Sequence, residues 1–462
     1  MRMESLCDAR GVTDVPLSVG QSSLYFLHER DPESTSYQVA VCFSVGERLD
    51  SGRIRTAWEE VCARHPVLTG VVTIGEQGYV QRWGSAVPPC TVRETPGIGA
   101  EELLRLAHRD YARPFVLRRD APARCFLYQG EQTSTLFLVL HHMLCDLTST
   151  FVLCEDLFDA YRGGPARPTA EPDGSWARFV AGERALLDSD RSAPMRRYWE
   201  DRLADCRFAL DLPDDDAVGG SPGAADAEAP ALARFTLTSA LADRVRAVAA
   251  GSGTSTATVL LAAFNVLLHR LTGHEDVVVG FPTEGRKKQF RRTVGYFVNS
   301  LPLRTRVAAG DSFGSVLAAT HAALVGAVRH QALPVPVVLR GLAPESVRAM
   351  HEVSFQFEPE RLSYGAHMHF ADLGPVLVRG TECFPLAIRQ QIGQFPLWMQ
   401  IGEVGGALEG GLHFDPLRVR RADADRWAGW YAGLVARAVS GEAVTVAELA
   451  ARAAGGGPRA VE

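Results

Sequence analysis

Two adjacent histidines, His141 and His142, precede an aspartate, Asp146, within the run Leu136 to Thr150. Imidazole is the side chain whose ordinary pKa lies nearest neutrality, so it can take a proton from an attacking amine or alcohol, or position it. An aspartate a few residues on is placed to fix the loop that carries such a base. An isolated histidine pair is more often structural, packed beside a helix-capping aspartate. Here the setting favours chemistry, because the pair closes a continuous apolar run. Cys145, in the same loop, reads as a packed thiol rather than a nucleophile.

The elements around the loop follow from local pattern. Leu136 to Leu140 is apolar, rich in strand formers and too short for a helix, as expected of a strand buried on both faces. Thr148 or Ser149 can cap the amphipathic stretch Phe151 to Tyr161 as a helix. Adjacent residues leaving a strand point to opposite sides, so the two histidines cannot share one role. One can face a cavity while the other packs.

The whole chain has 462 residues, 46% hydrophobic and 22% charged, with a formal net charge of -6. It is long enough for two cores of roughly 200 residues each. The charge argues against nucleic acid as a partner, since no basic excess exists to neutralise phosphates. No apolar run is long enough to span a bilayer, and the first sixteen residues lack the apolar core of a signal peptide, so a cytoplasmic protein is expected. The nine cysteines are scattered without a C-x-x-C pair and read as reduced thiols.

Strands are expected at Tyr37 to Val45, Gly70 to Ile74, Tyr79 to Trp83, Ala123 to Tyr128, Ala233 to Leu237, Asp276 to Gly280, His351 to Glu358, Leu397 to Glu403 and Leu408 to Phe414. Helices are expected at Asp50 to Cys62, Glu101 to Arg113, Ser175 to Leu187, Met195 to Leu203, Ala240 to Ala250, from Ser255 or Thr256 to Leu271, at Ser312 to His330 and within Asp415 to Val439. Residues 211–230 are poor in large apolar side chains, which places a flexible connection at 206–232 between halves 1–205 and 233–462. Residues 455–462 read as a frayed tail. His367 and His369 alternate on a possible strand; with no third ligand nearby they read as solvent-facing, and no metal site is expected.

His141-His142-Met-Leu-Cys-Asp146-Leu147 resembles the His-His-x-x-x-Asp-Gly signature of the condensation domains of nonribosomal peptide synthetases, within the chloramphenicol-acetyltransferase-like superfamily. Leu147 departs, standing where the family usually has glycine. Further motifs match in order: Ser18, Gln21, Leu24 and Leu27 near the start; Arg64-His65-x-x-Leu68, which the family treats as structural; Asp276 to Arg286; Gly295-x-Phe-Val-Asn299; and His330-Gln331 before two prolines.

The resemblance implies an α/β (α+β) fold of two acetyltransferase-like lobes in a V-shaped pseudo-dimer with a central tunnel. It implies that His142 faces the tunnel and acts on the nucleophile while His141 packs beneath the loop. It implies a structural Asp146 paired with Arg286 from the other lobe. Leu147, Gly295 and Asn299 become tunnel or substrate-lining candidates, turn geometry being the plainer account of Gly295 and Asn299; Leu147 can narrow the tunnel or unfit the loop for chemistry.

The implied reaction is attack of an amine or alcohol on an acyl or aminoacyl thioester. No cofactor is expected on this chain, the phosphopantetheine arm coming from a peptidyl or acyl carrier protein in trans. A monomer is expected. Heterocyclising relatives carry an aspartate pattern absent here, and inactive recruitment relatives usually lose a signature histidine; epimerising relatives share the signature. No carrier serine motif or adenylate-forming motif is visible, and Met1 with the tail suggests a free-standing enzyme. An O-acyltransferase drawing on coenzyme A or a polyketide carrier, and a noncatalytic carrier-docking protein, are the alternatives.

Overall fold

The computed structural model describes residues 12–76, 78–164, 175–206, 208–209, 211, 231–340, 353–360, 364–370, 373–388, 395–416, 418–442 and 444–452. In chain order its elements are β1 (Thr13–Pro16), α1 (Val19–Arg30), β2 (Gln38–Val45), α2 (Ser51–Arg64), β3 (Val71–Gly75), β4 (Gly78–Trp83), β5 (Cys90–Glu94), α3 (Ala100–Tyr111), β6 (Ala123–Gln129), β7 (Ser134–His141), α4 (Leu147–Tyr161), α5 (Ser175–Leu187) and α6 (Ser192–Leu203). There follow β8 (Leu232–Leu237), α7 (Ser239–Gly251), α8 (Thr256–Thr272), β9 (Asp276–Thr283), β10 (Asn299–Arg306), α9 (Phe313–Arg329), α10 (Val335–Leu339), β11 (Val353–Glu358) and α11 (Tyr364–His369). The last are β12 (Val376–Val378), β13 (Thr381–Pro385), β14 (Leu397–Val404), β15 (Ala407–Phe414), α12 (Arg421–Ala438) and α13 (Val446–Arg452).

These form two compact units: the described residues of Met1–Ser192, Glu284–Val298 and His367–Gln391, and those of Ala193–Thr283, Asn299–Ala366 and Ile392–Glu462. In the first, a six-stranded sheet runs β12-β13-β2-β7-β6-β5, beside a three-stranded sheet β1-β4-β3. In the second, one six-stranded sheet runs β10-β9-β11-β14-β15-β8. The division differs from the contiguous halves expected. β13 pairs with β2 (Cys383↔Val45), satisfying backbone groups that would otherwise be left at a sheet edge, and so a late segment belongs with the first unit. Of the expected connection, residues 212–230 lie outside the described set, as does the expected tail.

Other departures have local causes. α4 begins at Leu147 because Asp146 is the cap, accepting from the Ser149 N–H, so neither Thr148 nor Ser149 serves. β1, β5, β12 and β13 are short and carry little periodicity, which is why pattern reading passed over them. His367 and His369 lie on helix α11 rather than on a strand; His367 is buried and His369 half-buried, so neither faces solvent fully. Residues two apart on a helix also do not share a face. Among the described residues no single helix is long and apolar enough to cross a membrane; α7 and α8 pass such a test only jointly, bent by 102°.

In the second unit a polar cluster lies in the sheet. Gln356 and Gln400 are cross-strand partners, and their amides donate to Glu358 Oε1 at 2.6 and 2.8 Å. His413 Nε2 stands 2.9 Å from Gln400 Oε1. Burial pushes the Glu358 carboxyl up to about 7, against these donors. A carboxyl whose folded pKa is raised holds its proton more tightly in the folded state. Its contribution is therefore fully present below the ordinary 4.5 and is lost as pH rises through about 7. The loss is on the order of 2–4 kcal/mol. Urea unfolding at pH 5 and pH 8 (about these values) should show Glu358→Gln to lose less stability than the unmodified chain over that interval.

Candidate active site

Every residue of β7 is buried, which is how a run of five apolar residues becomes a central strand. Its end is pinned from both sides: the His141 N–H donates to the Pro122 carbonyl at 2.9 Å and the His142 N–H to the Tyr37 carbonyl at 2.7 Å. The chain then makes a 3-10 turn, His142–Leu144, before Asp146 opens α4. The two backbones are thus fixed independently, while their rings go to different surroundings.

His141 is buried against the rings of His28, at 5.2 Å and near-perpendicular, and of Phe115, at 6.2 Å. Its Nδ1 accepts from the Met143 N–H at 3.3 Å, so the proton resides on Nε2, which has no hydrogen-bond partner among the described residues. Burial holds it neutral, well below its ordinary pKa. His142 is half-buried, with Nδ1 2.8 Å from the Cys145 carbonyl. A carbonyl only accepts, so Nδ1 carries the proton and Nε2 keeps its lone pair. Burial also lowers the His142 pKa from 6.5, opposed by the Cys145 carbonyl and the Asp146 charge. The Tyr296 ring stands edge-on to His142 at 5.2 Å. Cys145 is fully buried, and burial holds its thiol protonated, consistent with packing.

Asp146 and Arg286 form an ion pair at 2.6 Å with both side chains 3% exposed. Asp146 Oδ1 accepts from the Ser149 N–H and hydroxyl, each at 2.8 Å, and Oδ2 from the Phe297 N–H at 3.2 Å. Arg286 Nη1 donates to the Phe290 and Thr293 carbonyls at 2.9 and 2.6 Å, and Nη2 also reaches the Ser149 hydroxyl at 2.6 Å. The guanidinium lies 4.1 Å from the centre of the Phe297 ring. Arg286 was expected from the opposite lobe; it belongs to the same compact unit as Asp146, because Glu284–Val298 is part of that unit.

Gly295 is explained by packing rather than by turn geometry. A Cβ there would sit 2.1 Å from the Trp176 ring, and its N–H and carbonyl both meet the Ser149 hydroxyl. Asn299 belongs to the second unit, where its amide donates to the Gln331 and Leu333 carbonyls and its Oδ1 accepts from the Val335 N–H, all at 2.9 Å. Those bonds hold the turn into α10. Leu147 is the first residue of α4 and half-buried, with ordinary helical backbone.

The roles of three residues escaped sequence reasoning. Ser149 joins Asp146, Arg286 and Gly295, and a lone serine in an expected helix cap gives no hint of that. Tyr296 reaches His142 from a segment far along the chain. Gln21, inside the capping box of Ser18, donates from Nε2 to the Met143 carbonyl at 3.1 Å and so braces the turn between the histidines and Asp146. Among the described residues no group of three His, Cys, Asp or Glu is placed to hold a metal ion.

A family profile described as Condensation domain matches residues 12–451. The chain belongs to the condensation domain family. The family's chemistry is acyl or peptidyl transfer in nonribosomal peptide synthesis, and its members work with carrier proteins. Among curated relatives of this condensation domain, phosphinothricin tripeptide synthetase PhsC of Streptomyces viridochromogenes is 32% identical over 330 residues, covering 69% of this chain and 30% of that protein. Tyrocidine synthase 3 of Brevibacillus parabrevis is 28% identical over 331 residues, covering 71% of this chain and 5% of that protein. The chain thus spans a minor part of these relatives.

Among solved structures, the first condensation domain of the calcium-dependent antibiotic synthetase, in complex with a substrate analogue, aligns with a TM-score of 0.75 at 23% identity over 94% of this chain and 98% of that one. The X-domain from teicoplanin biosynthesis aligns with a TM-score of 0.78 at 22% identity over 97% and 98%. The fold is therefore the chloramphenicol-acetyltransferase-like fold of condensation domains.

Removing one member of a buried, hydrogen-bonded ion pair leaves the other uncompensated. Arg286→Ala should lower unfolding stability by about 3–5 kcal/mol. Gly295→Ala, which touches neither histidine, should lower it by about 1–3 kcal/mol through the clash with Trp176. Chemical denaturation of each variant beside the unmodified chain checks both.

Proposed function

We propose that this condensation domain joins an acyl or aminoacyl group, carried as a phosphopantetheinyl thioester on a carrier protein in trans, to an amine or alcohol acceptor, with His142 as the residue that acts on the nucleophile. The observation that carries this reading is the tautomer of His142. Its Nδ1–H is committed to the Cys145 carbonyl at 2.8 Å, which aims a neutral imidazole with an unshared pair on Nε2.

In the proposed step the acceptor nitrogen or oxygen attacks the thioester carbonyl carbon. The new C–N or C–O bond forms, the C–S bond breaks, and the acceptor's proton passes to His142 Nε2 and from there to the departing thiolate, which leaves the imidazole neutral again. His141 is assigned packing beneath the strand end, and Asp146 with Arg286 the holding of the loop. Asp146 is not assigned to a triad, since the Nδ1–H of His142 goes to the Cys145 carbonyl and the Asp146 carboxylate is occupied by Arg286, Ser149 and the Phe297 N–H.

Leu147 favours a second reading, a noncatalytic protein that docks carriers, because it places a bulky side chain where the family usually has glycine. The X-domain of similar fold has been solved in complex with OxyB, a protein–protein assembly.

The test is release of free thiol from a panel of acyl-loaded carrier proteins, and from acyl-coenzyme A, offered amine and alcohol acceptors. Acceptor-dependent release that drops by at least about 100-fold in His142→Ala supports the reading. The productive acceptor separates amide from ester, and the productive donor separates carrier from coenzyme A. Equal release in both proteins, or none with carrier binding intact, moves the docking reading to the front. Because burial sets the His142 pKa below its ordinary 6.5, the acid limb of the kcat/KM profile belonging to this group should lie below that pH, with full activity at neutrality. A limb centred above 6.5 would contradict the assignment.

A further inference from the structure

The first unit carries a cysteine pair that the proposed reaction does not use. Cys90 opens β5 and Cys125 lies in β6; the strands are parallel neighbours in which Cys90 and Cys125 are direct partners. Their sulfurs are 3.7 Å apart. Adjacent strands lie about 4.8 Å apart, within the roughly 4.4–6.8 Å over which paired Cα atoms accept a disulfide. Closing to the bonded distance of about 2 Å therefore needs side-chain rotation more than backbone travel. β5 is also the edge of its sheet, paired on one side only, so a small shift of its first residue disturbs a single ladder.

Access and electrostatics separate these two sulfurs. Of the cysteines described, only Cys90 and Cys206 are half-buried, the other six being buried. The hydrogen bond with Cys125 holds the Cys90 thiol below its ordinary pKa, against burial and the Glu59 carboxylate, with help from the Arg55 guanidinium. Cys125 moves the other way, raised by the same bond and by burial. Cys206, by contrast, is pushed up to about 11 by burial. One half-exposed sulfur thus favours the reactive thiolate with a second sulfur beside it, and the other does neither.

We propose that Cys90 and Cys125 form a reversible oxidation site, in which a hydroperoxide oxidises Cys90 and Cys125 closes the product as an inter-strand disulfide. In the first step the Cys90 thiolate attacks a peroxide oxygen. An S–O bond forms, the O–O bond breaks, and the departing hydroxide or alkoxide is protonated. In the second, the Cys125 sulfur attacks Cys90 sulfur; the S–S bond forms, the S–O bond breaks, and the hydroxide leaves as water with the Cys125 proton. Two thiols are oxidised by two electrons, one peroxide is reduced, and a thiol reductant reverses the change. The bond closes the loop that contains α3, tying the sheet edge to the strand next to β7.

The full chain, reduced and then treated with hydrogen peroxide, is alkylated and mapped by mass spectrometry. The expected result is a cross-linked peptide pair holding Cys90 and Cys125, lighter by two hydrogen atoms, lost on dithiothreitol treatment and accompanied by a higher thermal midpoint. Cys90→Ser should abolish the cross-link, and Cys206→Ser should leave it intact. In Cys125→Ala, Cys90 should stop at the sulfenic acid and be trapped by dimedone. Should that buried variant not fold, the map of the unmodified chain and Cys90→Ser decide alone. A Cys90 that stays free, oxidation of Cys206 ahead of it, or a cross-link from Cys125 to nearby Cys62 or Cys154 overturns the proposal.

Discussion

The loop that carries the two histidines depends on one buried charge pair, Asp146 with Arg286, joined at 2.6 Å across 140 residues of sequence. Taking two charges out of water is costly, and the attraction between them offsets the cost only when their remaining hydrogen-bonding capacity is used. Here the use is nearly complete. The carboxylate caps α4 through Ser149 and receives the Phe297 N–H, while the guanidinium spends its Nη1 donors on the Phe290 and Thr293 carbonyls and lies on the Phe297 ring, with only Nε lacking a hydrogen-bond partner among the described residues. A single carboxylate therefore starts the helix after the histidines and anchors the segment that brings Tyr296 to His142.

A second charged cluster secures the same two pieces one helical stretch further on. Asp156 of α4 meets Arg292 at 2.5 Å and His65 Nε2 at 2.8 Å, and Arg64 stands at 3.4 Å. Burial pushes the Asp156 carboxyl up, but the His65 hydrogen bond and the neighbouring guanidinium charges prevail and hold it below the usual range. Burial likewise keeps His65 below its ordinary pKa, so the contact is a hydrogen bond from a neutral ring near pH 7. Arg379, just before β13, adds an ion pair to Asp159 at 2.8 Å. α4 thus gathers, with successive carboxylates, the late segments that complete the first unit. Gln21 braces the loop from the other end, through Met143.

Much of the fold was legible because most elements announce themselves locally. β7 showed as a continuous apolar run, α8 by its Ser255 cap and apolar repeat, and α2 by its helical spacing, although its capping residue proved to be Asp50. Among the elements that pattern missed are short strands whose identity comes from their neighbours: β5 has no alternation, and exists as a strand because β6 offers it a ladder. α11 went wrong for the complementary reason, two histidines two apart imitating strand alternation in a stretch too brief for periodicity to decide.

The sequence by itself determined the motifs, their order, the family to which they point, and the principle that adjacent strand-end histidines part company, since alternation is a property of the backbone. Only the tertiary structure decided which partners those residues meet. The tautomer of His142 rests on where the Cys145 carbonyl points, the role of Ser149 on a glycine 146 residues away, and the division into units on β13 finding the edge of β2. Hydrogen bonds and ion pairs act over a few ångströms in space whatever the separation along the chain, so their membership is set by packing and cannot be read from spacing.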